Sequence, residues 1–445
     1  MADMAVPVKE IRDGYIIALN LGTPPQTIHV YLDTGSDLTW VPCGALSFDC
    51  IDCDDDYRSN KLLAATFSPS LSSSVSRDSC SSPYCIDIHS SDNSFDACTV
   101  AGCSLAMLVR STCYRPCPSF AYTYGGDGIV TGTLARDVLT VLNDIIPNRN
   151  SSSTWEIPKF CFGCVGATYR EPIGIAGFGK GPLSLPSQLG FLQKGFSHCF
   201  LPFRYANNPN ISSPLIVGEL AIASKDYLQF TPMLKSPMYP NYYYIGLEAV
   251  SVSVGGNMAQ VVPVPSSLKE LDVSGNGGMM IDSGTTYTHL PYPLYSKLLV
   301  LLQSVITYPR ATQVEERSGF DLCYTSPCPT NKILPDDADD DLPLITFHFL
   351  NNASLTLPRG NSFYAMSAPR NLTVVKCLLF QSMGDDIGAG DSSSSSSSLG
   401  PAGVLGSFQQ QNVEVVYDLE KERIGFHSSD CAQAAIISST DHHRG

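Results

Sequence analysis

Two short stretches of this sequence carry residues whose types and order suit shared chemistry. Val30-Tyr31-Leu32 runs into Asp33-Thr34-Gly35-Ser36, and Met279-Met280-Ile281 runs into Asp282-Ser283-Gly284-Thr285. In each, an apolar run that reads as a buried strand ends in Asp, a small hydroxyl residue, Gly and a second hydroxyl residue. The strand end would fix the carboxylate, Gly would permit a tight turn, and the hydroxyls would donate hydrogen bonds to carboxylate oxygens. One such tetrapeptide reads equally well as an ordinary turn after a strand. Two copies in matching apolar settings, 249 positions apart, point to a pair. Carboxylates about 3 Å apart repel by roughly 5 kcal/mol at an effective dielectric near 20, which corresponds to about 4 pK units. Such a pair holds one proton over a wide pH range and titrates as a unit. One member would deprotonate a water while the other donates a proton toward a polarised carbonyl oxygen. That is amide hydrolysis with no metal, no cofactor and no covalent intermediate.

The elements that must position these residues are legible around them. Residues 15–21 read as a strand, Gly22-Thr23-Pro24-Pro25-Gln26 as a turn, and residues 27–32 as the returning strand that delivers Asp33. Tyr122-Thr123-Tyr124-Gly125-Gly126-Asp127-Gly128 before the alternating residues 130–141 predicts a flexible hairpin tip. Ile173-Gly174-Ile175-Ala176-Gly177 is a small-residue run suited to close backbone packing, and residues 183–192 follow as a short helix. Around residue 200 the pattern begins again. Residues 242–247 echo the first strand, residues 295–306 predict an amphipathic helix, and Val404-Leu405-Gly406 echoes the run at Gly177. Residues 413–418 and 423–426 close the chain as a hairpin. The repeat is of a whole lobe, so the expected fold is dominated by β structure and bilobed. Its N-terminal lobe spans 1–203, with a Cys-rich insertion at 43–117 and a flap at 120–132, and its C-terminal lobe spans 204–445.

Composition narrows the setting. The 445 residues carry 27 basic and 42 acidic side chains, a net charge of -15, which excludes nucleic acid and an anionic membrane as partners and fits an acidic workplace. Nine of the 16 cysteines, Cys43 to Cys117, fall inside 75 residues, which reads as disulfides in an oxidising compartment. Cys50-x-x-Cys53 and Cys161-x-x-Cys164 also have zinc-ligand spacing, but the acidic chain and the sequons at Asn150, Asn210, Asn352 and Asn371 favour secretion and disulfides. No run is long and apolar enough for a transmembrane helix. Met1-Ala2-Asp3-Met4 lacks an apolar core, so the start reads as one added to a mature domain. The residues at 336–341 and 392–398 are low-complexity loops to which no chemistry is assigned.

With these residues in place, the sequence resembles the pepsin-like aspartic proteases from residue 15 to residue 426. The resemblance implies that Asp33 and Asp282 are catalytic and that Thr34 and Ser283 clasp their two loops together. Ser36 and Thr285 would bond the outer carboxylate oxygens, and Gly35 and Gly284 would present backbone to substrate. Tyr124 matches the flap tyrosine, and Trp40 the tryptophan whose indole N–H holds it. Within the family the chain is most similar to the plant nepenthesin-type branch, through Asp37-Leu38-Thr39-Trp40, Gly181-Pro182-Leu183-Ser184-Leu185-Pro186-Ser187-Gln188-Leu189 and Phe196-Ser197-His198-Cys199. Only 124 positions separate Asp282 from Gly406, which leaves no room for a saposin-like insert. The resemblance implies the disulfides Cys43–Cys50, Cys53–Cys164, Cys199–Cys431 and Cys323–Cys377. It also implies a monomeric, glycosylated, secreted enzyme of apoplast or cell wall, with the vacuole as alternative, made as a zymogen and bound by pepstatin. The flap departs from the family pattern by an extra Gly in Gly125-Gly126-Asp127-Gly128.

The competing reading is a catalytically silent binding protein on the same fold, like the plant xylanase inhibitors. Serine or cysteine hydrolysis lacks a Gly-x-Ser-x-Gly stretch, and zinc proteolysis lacks His-Glu-x-x-His. His289, near the second tetrapeptide, reads as a surface or core residue.

Overall fold

The structure is a computed structural model and describes residues 4–11, 14–51, 53, 65–90, 96–143, 153–205, 208, 211–255, 258–328, 342–366, 372–383 and 400–432. Strands dominate, as expected, and the chain divides into two compact units: Met1–Gln193 with Leu215–Gly218, and Lys194–Pro214 with Glu219–Gly445.

The first unit lays down β1 (Met4–Ile11), β2 (Gly14–Leu21), β3 (Gln26–Asp33), β4 (Trp40–Asp49), β5 (Ser76–Arg77), β6 (Phe120–Thr123), β7 (Ile129–Asn143), β8 (Ser153–Tyr169) and β9 (Gly174–Gly177). Ile28, Val30 and Leu32 of β3 are buried while Thr27, His29 and Tyr31 face outward to differing degrees, the period of two that a half-covered strand imposes. β2 and β3 pair antiparallel from Ile16 and Tyr31 to Leu21 and Gln26. β3 then lies parallel to β9, with Asp33 beside Gly177, while Trp40 of β4 meets Ile175 of β9 from the other side. β9 is therefore held between β3 and β4. β6 and β7 form the flap hairpin, Thr123 opposite Ile129. β7 continues as a long antiparallel partner of β8.

Among the described residues the insertion after β4 holds three short helices, α1 (Pro83–Ile88), α2 (Ala97–Val100) and α3 (Leu105–Val109). Its disulfides correct the expected pairing. Cys43 is bonded to Cys164 and Cys50 to Cys53, not Cys43 to Cys50 and Cys53 to Cys164. The cause is register: Val41 and Pro42 lie parallel beside Cys164 and Val165, which brings the Cα atoms of Cys43 and Cys164 to 5.3 Å. Cys50 then finds its partner locally. Cys50 and Cys53 are bonded to each other and Cys164 to Cys43, so neither Cys-x-x-Cys stretch offers two free thiols. Cys80–Cys98, Cys85–Cys117 and Cys103–Cys113 staple the remainder, and Cys161 and Cys328 are buried thiols. Buried Asp78 moors the insertion to β7 through Arg136, 2.5 Å away.

A short helix, α4 (Leu185–Leu189), ends the first unit, its N-terminus capped by Ser184. The second unit follows with β10 (Gly195–Cys199), β11 (Tyr244–Ile245), β12 (Leu247–Ser253), β13 (Met279–Ile281), β14 (Thr288–Pro291), α5 (Tyr292–Val305), β15 (Leu344–Phe349), β16 (Phe380–Met383), β17 (Gly403–Leu405), β18 (Val413–Asp418) and β19 (Arg423–Ser428). The division at Gln193 and Lys194 precedes the expected 203/204 boundary because β10 pairs with β18 from Gly195 and Asp418 to Cys199 and Glu414. That ladder ties β10 to the C-terminal unit. α5 buries Leu294, Tyr295, Leu298 and Leu302 along one face. Cys199 is bonded to Cys431, and Cys323 to Cys377 directly across a ladder. Of the sequons, Asn352 is exposed on a tight turn, and Asn150, Asn210 and Asn371 lie outside the described residues.

β13, β14 and β17 repeat the arrangement of β3, β4 and β9. β13 is parallel to β17, Ile281 beside Leu405, and His289 of β14 meets Val404 from the other side. His289 follows Asp282 by seven residues, as Trp40 follows Asp33.

His198 of β10 is buried, stacked on Phe200 with ring centroids 3.8 Å apart, and among the described residues neither ring nitrogen has a hydrogen-bond partner. Burial pushes its pKa down to about 3. The imidazole is neutral when folded but accepts a proton when unfolded, so its contribution is full above the ordinary value of 6.5 and is lost as pH falls toward 3. Each pH unit in that window costs at most about 1.4 kcal/mol. Thermal unfolding of His198→Phe at about pH 7 and pH 4 is expected to show a smaller acid-induced drop in Tm than the parent chain; equal drops would contradict it.

Candidate active site

Both tetrapeptides fold into the same local cradle. In the first unit the Gly35 N–H donates to Asp33 Oδ1 at 2.8 Å and the Ser36 hydroxyl donates to Asp33 Oδ2. In the second the Gly284 N–H donates to Asp282 Oδ1 at 2.8 Å and the Thr285 hydroxyl donates to Oδ2 at 2.6 Å. Each carboxylate therefore has one backbone and one hydroxyl donor, one for each oxygen, and each is buried. Hydrogen bonds to an ionised acceptor are the stronger kind, roughly 1.5–3 kcal/mol each. Thr34 and Ser283, between the Asp and the Gly, are buried as well.

The neighbouring strand pins each turn from the side. Phe178 N–H donates to Asp33 O at 2.7 Å and Gly179 N–H to Ser36 O at 2.9 Å. In the second unit Ser407 N–H donates to Thr285 O at 2.8 Å and Phe408 N–H to Thr286 O at 2.9 Å. The approach requires glycine. A Cβ on Gly177 would lie 2.3 Å from the carbonyl of Asp37, and one on Gly406 would lie 2.5 Å from the backbone of Tyr287. Both contacts are with backbone, which cannot step aside.

In the first unit the flap adds a third component. The Trp40 indole N–H donates to the Tyr124 hydroxyl at 2.8 Å, so a fully buried tryptophan fixes the tyrosine at the base of the flap tip. Burial raises the Tyr124 hydroxyl well above its usual pKa, and Tyr122, Glu171 and Asp33 reinforce the shift, while the bond from Trp40 opposes it. The phenol stays neutral. The tip closes with Tyr124 N–H donating to Gly128 O at 2.8 Å, and Asp127 takes the left-handed conformation there with φ 61°. In the second unit the position matching Trp40 holds half-buried His289, whose pKa burial holds down.

Several supporting residues escaped the sequence reading. Asp37 accepts the Gly181 N–H at 2.7 Å. Gln410 Nε2 donates to Leu405 O at 2.9 Å, and Gln409 takes the Thr288 N–H at 2.8 Å and donates to Asn361 O at 2.7 Å, so buried amides brace the second cradle. The signal was present: three consecutive glutamines directly after Gly406-Ser407-Phe408. Arg170 bonds Gly126 O at 3.2 Å and faces Asp127 at 3.5 Å, bracing the flap tip.

Residues 15–219 match the family model described as xylanase inhibitor N-terminal, and residues 242–428 that described as xylanase inhibitor C-terminal. A probable aspartyl protease of Arabidopsis thaliana is 34% identical over 463 residues, covering 96% of this chain and 84% of the relative. The chain belongs to the plant pepsin-like aspartic protease family. Nepenthesin-2 of Nepenthes gracilis, an aspartic proteinase of this family, is 31% identical, with 94% of this chain and 78% of that one covered. Among solved structures, conglutin gamma from lupine seeds superposes with a TM-score of 0.63 at 18% identity, covering 97% of this chain and 98% of that one. The protein titled edgp gives 0.66 at 19%, covering 98% and 97%. At these identities the structural likeness shows the family fold.

Gly406→Ala is expected to lower stability by about 3 kcal/mol, the scale of a forced backbone clash. Gly166→Ala, where an added Cβ meets nothing within 4 Å, should change it by less than about 0.5 kcal/mol. Denaturant unfolding of both variants checks this, and a Gly406→Ala protein as stable as the parent would refute the close-approach argument.

Proposed function

We propose that this chain is an aspartic endopeptidase in which Asp33 and Asp282 share one proton and activate a water between them. The observation that carries the reading is the matched pair of cradles: each Asp has the same two donors, on the same oxygens, from residues at the same offsets. A scaffold retained only for binding has no need of two such sites. In the reaction the ionised carboxylate takes a proton from the water as the water attacks the scissile carbonyl, and its protonated partner donates toward the carbonyl oxygen. As the C–N bond breaks, the proton taken from the water passes to the leaving amine and a hydroxyl of the tetrahedral diol returns its proton to the other carboxylate, which restores the singly protonated pair. Thr34 and Ser283 would clasp the two loops, and Gly35 and Gly284 would offer backbone to an extended peptide covered by the flap. Tyr124, held neutral, would donate its hydroxyl hydrogen bond there. A monomer that is secreted, made as a zymogen and blocked by pepstatin-type inhibitors completes the proposal. Among the described residues no helix is long and apolar enough to cross a membrane.

A second reading, a binding protein without turnover, is favoured by the xylanase-inhibitor description of both matching family models. Cleavage of denatured globin near pH 3.5, with and without pepstatin, separates the two. Pepstatin-sensitive cleavage supports the enzyme, and its absence at any acid pH supports the binder. Asp33→Asn and Asp282→Asn are each expected to leave below about 1% of parental turnover with circular dichroism unchanged. Retention of more activity in either would contradict the shared-proton scheme.

Trp40→Phe removes the donor to Tyr124 and keeps most of the buried volume. It should cut kcat/KM by roughly tenfold, the worth of one hydrogen bond realised in the transition state. Trp155→Phe, the other tryptophan, serves as the control, and equal effects from both would dismiss the flap role.

A further inference from the structure

A carboxyl group lies against the flap that the mechanism above does not use. β8 ends at Tyr169 opposite Ile129 of the flap hairpin, and the chain continues through Arg170 to Glu171. Glu171 comes so close to the hairpin that a Cβ built on Gly128 would lie 2.0 Å from Glu171 Oε1. With glycine at 128 the carboxyl can sit directly against the hairpin backbone. Glu171 is half-buried, and among the described residues no hydrogen bond or ion pair satisfies it.

The surroundings explain why no cation reaches it. Arg170, next in sequence, is turned to the flap tip, on Gly126 O and Asp127. Just past β6, Tyr124 lies within electrostatic reach of Glu171, with Tyr122 beside that ring at 5.1 Å, and Asp33 at the end of β3 acts on the same Tyr124 hydroxyl. All of these are neutral phenols or acids. Burial alone raises the Glu171 carboxyl to about 7. A carboxyl partly withdrawn from water without a protein partner carries a desolvation cost, and such groups cluster where a ligand supplies the missing partner.

We infer that Glu171 is a specificity-determining residue that recognises a cationic side chain, lysine or arginine, of a peptide held beneath the flap. The inference rests on the protease reading and names a substrate class for it. The recognising form is the carboxylate. Below neutrality, pairing with a cation expels the proton Glu171 otherwise holds, so the preference must strengthen as pH rises toward 7 by up to about tenfold per unit, and then level off.

The test uses peptides that differ only by lysine against norleucine at one position, scanned across the scissile bond, with the parent chain and Glu171→Gln at about pH 4 and pH 6. Expected is one position at which the parent prefers lysine by about tenfold or more in kcat/KM at the higher pH and less at the lower. Glu171→Gln should bring that ratio within about twofold of unity while leaving the norleucine peptide within about threefold. No lysine preference, one that survives Glu171→Gln, or one that weakens with rising pH would overturn the inference. Folding of the variant is read separately: a raised carboxyl contributes stability below its ordinary value of 4.5 that is lost as pH climbs through 7. Glu171→Gln should therefore gain Tm on the parent across that window. Should pepstatin-sensitive cleavage be absent for every peptide, the protease reading fails by itself. Competition of the same peptides for binding to the intact chain then reads the same lysine ratio.

Discussion

The structure depends on a strand that ends in a carboxylate while its neighbour touches the following turn. Asp33 and Asp282 are each the last residue of an apolar run, and the turn after each returns one N–H and one hydroxyl to the same side chain. That turn keeps its shape only because β9 or the segment after β17 lies against it with nothing larger than hydrogen at Gly177 or Gly406. Remove the close approach and the backbone bonds from Phe178, Gly179, Ser407 and Phe408 lose their acceptors' positions. The carboxylate geometry is thus a property of two non-adjacent segments meeting, not of four residues alone.

This division explains which features could be read in the chain and which could not. The strands on either side of residues 22–25, the flap hairpin and the closing hairpin are local, governed by alternation and turn residues, and they form where the sequence places them. The cradles were legible for the same reason, since donors and acceptors lie within three residues of each other. The disulfides of the insertion were not. Whether Cys43 meets Cys50 or Cys164 is decided by the register of β4 on β8, which carries a shift between Pro42 and Ser47 that no local pattern announces. The unit boundary failed similarly, because β10 belongs to whichever unit supplies its ladder partner, and that partner lies more than two hundred residues downstream. Gln409 and Gln410 are polar residues in a buried place, where composition favours a loop and only the accounting of buried backbone groups reveals a brace.

The flap shows how one buried bond links the core to a surface hairpin. Trp40 sits at the start of β4, wholly buried, and is held by its ladders with β8 and β9. Its N–H is the single polar handle on that large side chain, and it is spent on Tyr124. The hairpin tip can carry two adjacent glycines, Gly125 and Gly126, because its base is already anchored through the ring and its far side through Arg170.

One half-buried and one buried ionisable group set opposite pH demands on the two units. Glu171, in the first, is favoured protonated, so its stabilising contribution belongs to acid and fades as pH rises through about 7. His198, in the second, is favoured neutral, so its contribution belongs to pH above 6.5 and fades toward about 3. Between roughly 4.5 and 6.5 both groups keep their favoured protonation states when folded, but neither contributes its full stability. A chain of net charge -15 gains from acid by shedding repulsion, and the buried imidazole limits how far into acid that gain extends. The pH range over which the fold is most stable is therefore bounded by these two groups.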